Sequence, residues 1–335
     1  MKLTYQLTKQ GQESDCLQRW IVIITKALAL ALEAANRSFH RMDVFVTGGT
    51  GGIGSAVVKQ LAEDGCQVIG LSRSDKSAEK LRRLGASAYP GDLRDPGTWV
   101  ERATACDAVV HLGATFSPDM GKVDRIAMLE MKKAARHRKQ PLKVVYTGGI
   151  WLYPTCKAGD MLSEKTPFSP LPAFRFMTET IKTLSTGTDL ALSVVHPALV
   201  CGPDFGPVAE MTAALKESGR FETRASEHTF WPLVEVSDLA RLYALVLRQT
   251  RFRMSVIGSG ISGVSVDHLA SHISARHGEP LDIVTQQAPD GVDPDQDWAA
   301  GYALSQSADN THAKRLLSWS PDHSTVEDLV ISLSR

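Results

Sequence analysis

The chain has 335 residues, 43% apolar and 22% charged, the balance of an ordinary globular protein able to bury a sizeable core. Lys plus Arg and Asp plus Glu number 37 each, which excludes the net basicity of a nucleic-acid or anionic-membrane binder. Five scattered cysteines (Cys16, Cys66, Cys106, Cys156, Cys201) form no C-x-x-C pair, arguing against a disulfide framework or zinc site and for a reducing cytoplasm.

Residues 1–41 stand apart. The apolar run 20–32 is too short to span a bilayer and carries Lys26. Arg19 before it and Ala29-Leu30-Ala31 within it give the outline of a signal peptide. Met42 directly precedes the first predicted strand, so 1–41 is read as an accessory extension or a mis-set start, and 42–335 as the fold proper.

From Met42 the pattern alternates. Val44-Phe45-Val46 is a strand, and 52–64 a helix with Ile53, Val57, Val58 and Leu61 on one side. Gly65 ends it, and 67–71 is the next strand. Helix 78–84, strand 86–89, helix 96–103, strand 107–111, helix 121–137, strand 142–147, helix 172–186 and strand 190–196 continue the series. Strands and helices alternating at this spacing predict right-handed crossovers and an α/β, Rossmann-like, doubly wound parallel sheet. Beyond Cys201-Gly202-Pro203 the alternation weakens, and a smaller C-terminal substrate lobe is expected, mainly from 203–232 and 250–335. His268 and His272 have helical spacing with His277 following, but no acidic partner completes a metal pattern. An exposed helix face is the reading there, as a solvated helix end is for the basic run 132–139.

Between the first strand and helix lies Val46-Thr-Gly-Gly-Thr-Gly-Gly-Ile-Gly54. It fits both Gly49-x-Gly51-x-x-Gly54 and Thr47-Gly48-x-x-Gly51-x-x-Gly54, in the strand-to-helix context that gives such a motif meaning. Glycines there permit a tight turn and let backbone amides approach a pyrophosphate at the helix N-terminus. Gly48, Thr50, Gly51, Gly52, Ile53 and Gly54 are the expected cradle. An NAD site usually has a carboxylate at the end of the second strand for the ribose 2′-hydroxyl. This chain has Ser72-Arg73-Ser74, and a guanidinium suits a 2′-phosphate. NADP is therefore preferred over NAD as the expected cofactor.

With these motifs in order, the chain from Met42 onward resembles the extended short-chain dehydrogenase/reductase, or NAD-dependent epimerase/dehydratase, family. The resemblance rests on the glycine loop, Gly91-Asp92-Leu93, the run from Asp107 through His111 to Ala114, and Val195-His196-Pro197-Ala198. It continues through Val234–Ala240 and the tail from Lys314 to Pro321. It implies that Asp92 and Leu93 flank the adenine, that His111, Gly113 and Ala114 line the cofactor, and that His196 and Pro197 lie beside the nicotinamide. It also implies a Ser/Thr, Tyr and Lys catalytic set, from which this sequence departs: Gly149 stands at the serine position, Leu171 at the tyrosine and Arg175 at the lysine. A literal Tyr153-x-x-x-Lys157 follows the fifth strand too soon, and Pro154 restricts the residue before it toward extended geometry. Thr147, Tyr153 and Arg175 remain as the polar groups expected nearest the nicotinamide, Tyr153 as the proton donor and Arg175 toward the ribose.

The resemblance implies an oxidoreductase for a small carbonyl, hydroxyl or sugar-like substrate, and Arg73 makes it NADP-preferring. Two other readings stay open: a non-catalytic NADP-sensing binding protein, and an epimerase or dehydratase holding NAD tightly. Helices 121–137 and 172–186 are those that family members often pair in a homodimer, with Ile126, Met128, Leu129 and Met131 as the expected apolar face. No nucleic acid, membrane or metal is expected as partner.

Overall fold

The computed structural model describes residues 24–26, 42–157, 159–249 and 253–334. Apart from one helical turn at 24–26, the reading of 1–41 lies outside the described residues. β1 (Asp43–Thr47), β2 (Gln67–Ser72), β3 (Ser87–Pro90), β4 (Ala108–His111), β5 (Leu142–Thr147) and β6 (Leu190–Pro197) alternate with α1 (Gly52–Glu63), α2 (Asp75–Arg83), α3 (Val100–Ala105), α4 (Met120–Ala135) and α5 (Arg175–Leu184). Small departures from the expected bounds have local causes. Ser74 accepts the Ser77 amide and starts α2 before residue 78. Pro172 opens a 3-10 turn, Pro172–Phe174, which delays α5 to Arg175.

The second half contributes β7 (Leu199–Cys201), α6 (Pro207–Ser218), β8 (Arg220–Thr223), β9 (Phe230–Glu235), α7 (Val236–Arg248) and β10 (Ser255–Gly258). β11 (Ile261–Ser265), α8 (Val266–His277), β12 (Asp282–Thr285), α9 (Thr311–Leu317) and α10 (Val326–Leu333) follow. Seven parallel strands form the main sheet in the order β10-β6-β5-β4-β1-β2-β3. Residues 255–258, expected in the lobe, instead pair with β6 from Ser255↔Val194 onward and close the sheet edge. The lobe holds a three-stranded sheet, β11-β9-β7, and the parallel pair β12-β8. Its core joins Met211, Trp231, Leu233 and Ile273 to Ile150 and Leu152, so it draws on chain well before residue 203.

Strand alternation sorts the main core into two layers. Val44 and Val46 of β1 pack with Val57, Val58 and Leu61 of α1 and with Leu242 and Tyr243 of α7. Phe45, between them, points the other way, to Trp99, Val100 and Met128 beside α3 and α4. In α4, Met128 and Met131 are buried in that layer, whereas Ile126 and Leu129 are 38% and 41% exposed. The four-residue apolar face expected on this helix is therefore two core residues and two surface ones.

The motif at the start of α7 locks the C-terminal tail. Glu235 accepts the amides of Ser237 and Asp238, at 2.6 and 3.1 Å. The buried Asp238 carboxylate accepts the amides of Asp322 and His323 and the His323 Nδ1–H, and pairs with Arg241 at 2.7 Å. Trp319 Nε1 donates to the Asp238 carbonyl at 2.9 Å. Glu235, Asp238 and His323 converge closely, and these chain donors occupy the carboxylates.

Candidate active site

The loop between β1 and α1 reverses the chain within Gly48–Gly51. Gly48 has φ of +70°, and a β-carbon there would lie 2.6 Å from the Leu112 carbonyl oxygen. At Gly54 a β-carbon would lie 2.0 Å from the Gly48 oxygen. Only glycine lets the turn, the helix and the chain after β4 close up this far. No side chain caps α1, whose N-cap is Gly51. Its first-turn amides, at the positive helix end, thus stay available to an anion. Lys80 of α2 braces the loop from outside by donating to the Thr50 carbonyl at 2.8 Å. This cradle fits a dinucleotide pyrophosphate.

Strand register builds the next feature. Thr47 pairs with His111, and His111 with Tyr146, so three polar side chains stand in one row on the α4 side of the sheet. Thr47 Oγ1 and His111 Nδ1 are 2.8 Å apart, and His111 Nε2 lies 3.1 Å from Asp124 Oδ1. Tyr146 donates to both Asp124 oxygens at 3.1 Å, and Thr180 of α5 donates to Oδ2 at 2.9 Å. The Tyr146 and His111 rings stack at 5.5 Å. Burial, reinforced by the Asp124 carboxylate, raises the Tyr146 phenol well above its ordinary range, so it stays protonated as a donor. One residue on, Thr147 points to the opposite face, where its Oγ1 is 2.8 Å from the hydroxyl of Tyr243 on α7. Burial likewise raises the Tyr243 pKa.

Above these strand ends opens a cavity of about 570 Å³ between sheet and lobe. Of the residues expected to bind cofactor, Gly48, Gly51, Gly52, Ile53, Gly54, Leu93, His111, Gly113, Ala114, Thr147 and Pro197 line it. Thr50, Ser72, Arg73 and Asp92 do not; Arg73 is exposed at the end of β2, and Asp92 turns its carboxylate to the Arg94 amide. Phe116, Trp151, Phe174, Phe176, Met177, Phe205 and Tyr302 supply much of the remaining wall. Glu210 of α6 projects into it. Its carboxyl is raised above the ordinary range by burial and accepts a hydrogen bond from Tyr302.

Three expected site residues lie elsewhere. Tyr153 is 0% exposed, its ring edge-on to Phe168 and His196 at 5.1 and 5.3 Å, and it does not line the cavity. The 3-10 turn Ile150–Leu152 carries the chain under the wall before Tyr153, so the proton-donor role expected of it is not met. Lys157 is exposed on irregular chain, which leaves the literal Tyr-x-x-x-Lys without helical geometry. His196 is buried behind Gly148, where an added β-carbon would lie 2.4 Å from its Nδ1. Burial lowers the His196 pKa to about 4, so it is a neutral core group rather than a cofactor contact. Arg175, at the exposed first position of α5, borders a separate hollow with Glu179, Asp295 and Trp298. The Pro172 turn displaces it, and the cavity-facing side of this segment carries Phe174, Phe176 and Met177 instead.

Sequence reasoning passed over Asp124, Tyr146, Thr180, Tyr243, Glu210 and Tyr302. A signal existed for Asp124, a lone carboxylate in the stripe Met120, Val123, Ala127, Met128, Met131 that α4 buries.

A model of the NAD dependent epimerase/dehydratase family matches residues 44–258. An uncharacterized protein of Schizosaccharomyces pombe is 26% identical over 85% of this chain and 97% of its own. A dTDP-6-deoxy-L-talose 4-dehydrogenase (NAD(P)(+)) of Kitasatospora kifunensis is 23% identical over 83% of this chain and 90% of its own. Among solved structures, a UDP-glucose 4-epimerase of Thermus thermophilus in complex with NAD has a TM-score of 0.71 at 20% identity. It spans 88% of this chain and 98% of that one, a likeness of fold.

Proposed function

The chain belongs to the NAD dependent epimerase/dehydratase family, and from that premise we propose that it is an NADP-preferring oxidoreductase acting on a carbonyl or alcohol in the cavity above β4 and β5. The observation that carries the reading is the glycine cradle at the uncapped start of α1, opening directly into that cavity. Gly51, Gly52, Ile53 and Gly54 would hold the pyrophosphate, and Ala114, Thr147 and Pro197 would flank the nicotinamide half. Bound there, a nicotinamide cofactor supplies hydride to a carbonyl carbon or withdraws it from an alcohol.

The chain's own groups then manage the oxygen and its proton. The Tyr243 and Thr147 hydroxyls lie 2.8 Å apart; with Tyr243, kept protonated by burial, as the donor of that pair, the Thr147 proton is free to point into the cavity. In that position Thr147 donates to the substrate oxygen and stabilises the negative charge that gathers there in the reducing direction. Solvent at the open mouth delivers the proton that completes the alcohol. The Asp124 network holds Thr47, His111 and Tyr146 rigid beneath the cofactor half, so the floor costs no reorganisation during reaction.

NADP preference rests on Arg73, exposed at the end of β2 where no carboxylate stands. The scattered spacing of the cysteines supports a reducing cytoplasm, and no helix of the described residues is long and apolar enough to cross a membrane. A homodimer through α4 and α5 would cover Ile126 and Leu129. The deciding experiment is a titration of the purified protein with NADPH and NADH by protein-to-nicotinamide fluorescence transfer. Tighter NADPH binding is the expected result. Equal affinities overturn the NADP preference, and no binding of either overturns the oxidoreductase reading.

A further inference from the structure

We propose that the substrate is an uncharged ring compound, aromatic or alicyclic, that lays its ring between Phe116 and Trp151 and offers a hydroxyl to Glu210, and that it is not a nucleoside-diphosphate derivative. The inference rests on the oxidoreductase reading and narrows its substrate class.

Charge is the first argument. Among the described residues, no Lys or Arg lines the cavity. Its carboxylates are Asp124, occupied by Thr180, Tyr146 and His111, and Glu210. Arg224 of the lobe is taken by Asp297 at 3.3 Å. A substrate diphosphate would leave water without a cation to receive it and would meet a carboxylate instead.

Shape is the second. Trp151 packs against Phe174 at 5.5 Å and Tyr302 at 5.3 Å. Gly301 approaches the indole so closely that a β-carbon would lie 2.2 Å from its Cδ2. The indole is thereby fixed as a flat wall. Phe116, also on the cavity lining, combines two costs. It adopts φ of +45°, an outlying conformation for a bulky residue, and the residue is 67% exposed, its ring meeting Trp298 edge-on at 6.0 Å. Both costs acquire a purpose if the ring covers an apolar ligand, since aromatic faces bind rings through burial and offset or edge contacts. Glu210 and Tyr302 are then the polar pair in this half able to orient the ligand. The Glu210 carboxylate accepts from the Gly206 amide and from Tyr302, and its remaining lone pairs can accept from a hydroxyl.

The test uses the full chain with NADPH, whose binding is measured first and independently. Acetophenone, para-hydroxyacetophenone, cyclohexanone and UDP-glucose are then titrated by calorimetry, and NADPH consumption is followed for each. Binding and turnover of the ring ketones are expected, with para-hydroxyacetophenone about tenfold tighter than acetophenone, as for a hydrogen bond to a charged group. Glu210→Gln should shrink that ratio below about threefold, and Phe116→Ala should weaken every ring ligand. The proposal is overturned if UDP-glucose binds or turns over, if no ring ketone binds the NADPH-loaded protein, or if Glu210→Gln leaves the ratio intact. Failure to bind NADPH instead overturns the reading beneath it.

Discussion

Alanine at Gly51 and alanine at Gly54 should damage this protein in different ways, although the two glycines are three residues apart in one motif. At Gly54 the new β-carbon would sit 2.0 Å from the Gly48 oxygen and 2.8 Å from its carbonyl carbon. These are backbone atoms, so relief requires the helix and the turn to separate. Overpacking of this kind costs about 1–3 kcal/mol, and at roughly 2–4 °C per kcal/mol the melting temperature should fall by about 2–12 °C. At Gly51 the nearest atom is the Gly48 oxygen at 3.4 Å, and φ is −71°. Alanine fits there, and the loss of an N-cap glycine costs less than about 1 kcal/mol. Its methyl group would instead stand where the pyrophosphate must approach. Losing one charge-assisted amide contact, about 1.5–3 kcal/mol, should weaken NADPH binding roughly 10- to 150-fold. Thermal denaturation without nucleotide, paired with fluorescence titration, separates the two. If Gly51→Ala binds normally, or Gly54→Ala melts like the parent, the division of labour within the cradle is wrong.

Four further outcomes are expected. Arg73→Ala should erase most of any NADPH-over-NADH preference, roughly 10- to 150-fold if the guanidinium meets a 2′-phosphate, and a preference that survives would remove Arg73 from that role. His196, ordinarily near 6.5 and lowered by burial to about 4, binds its proton more readily in the unfolded chain. Stability is therefore complete above pH 6.5 and falls as pH drops toward 4, by about 3 kcal/mol at most; urea titrations of His196→Gln should show a shallower fall, and parallel curves would refute the assignment. Asp238→Ala strands three tail donors and Arg241 and should lower stability by about 3–5 kcal/mol, with proteolysis after Trp319 as the local readout. Gly149→Ser should fold unchanged, because a β-carbon there meets nothing within 4 Å and its φ of 175° is ordinary extended backbone; a drop in melting temperature above about 2 °C would count against that open space.

The alternation of strands and helices was legible from sequence because each element buries one periodic face, and period alone separates the two types. The glycine cradle was legible for a related reason: its turn and the Gly54–Gly48 approach act within seven residues and depend on the absence of side chains, although the contact of Gly48 with Leu112 comes from the fold. The catalytic half was not. Distance along the chain from β5 and from Glu179 points to Tyr153 and Arg175, but the turn Ile150–Leu152 and the Pro172 turn redirect both before they reach the cleft. The groups that do converge come from remote segments. Asp124 meets His111, Tyr146 and Thr180 because strand register and the packing of α4 on α5 bring them together, and Thr147 meets Tyr243 because alternation turns it to the α7 side. Local physics, carried by propensity, period and glycine, is written residue by residue in the sequence. Which polar side chains share a buried contact depends on three-dimensional register between elements up to 96 residues apart, and only the tertiary structure decides that.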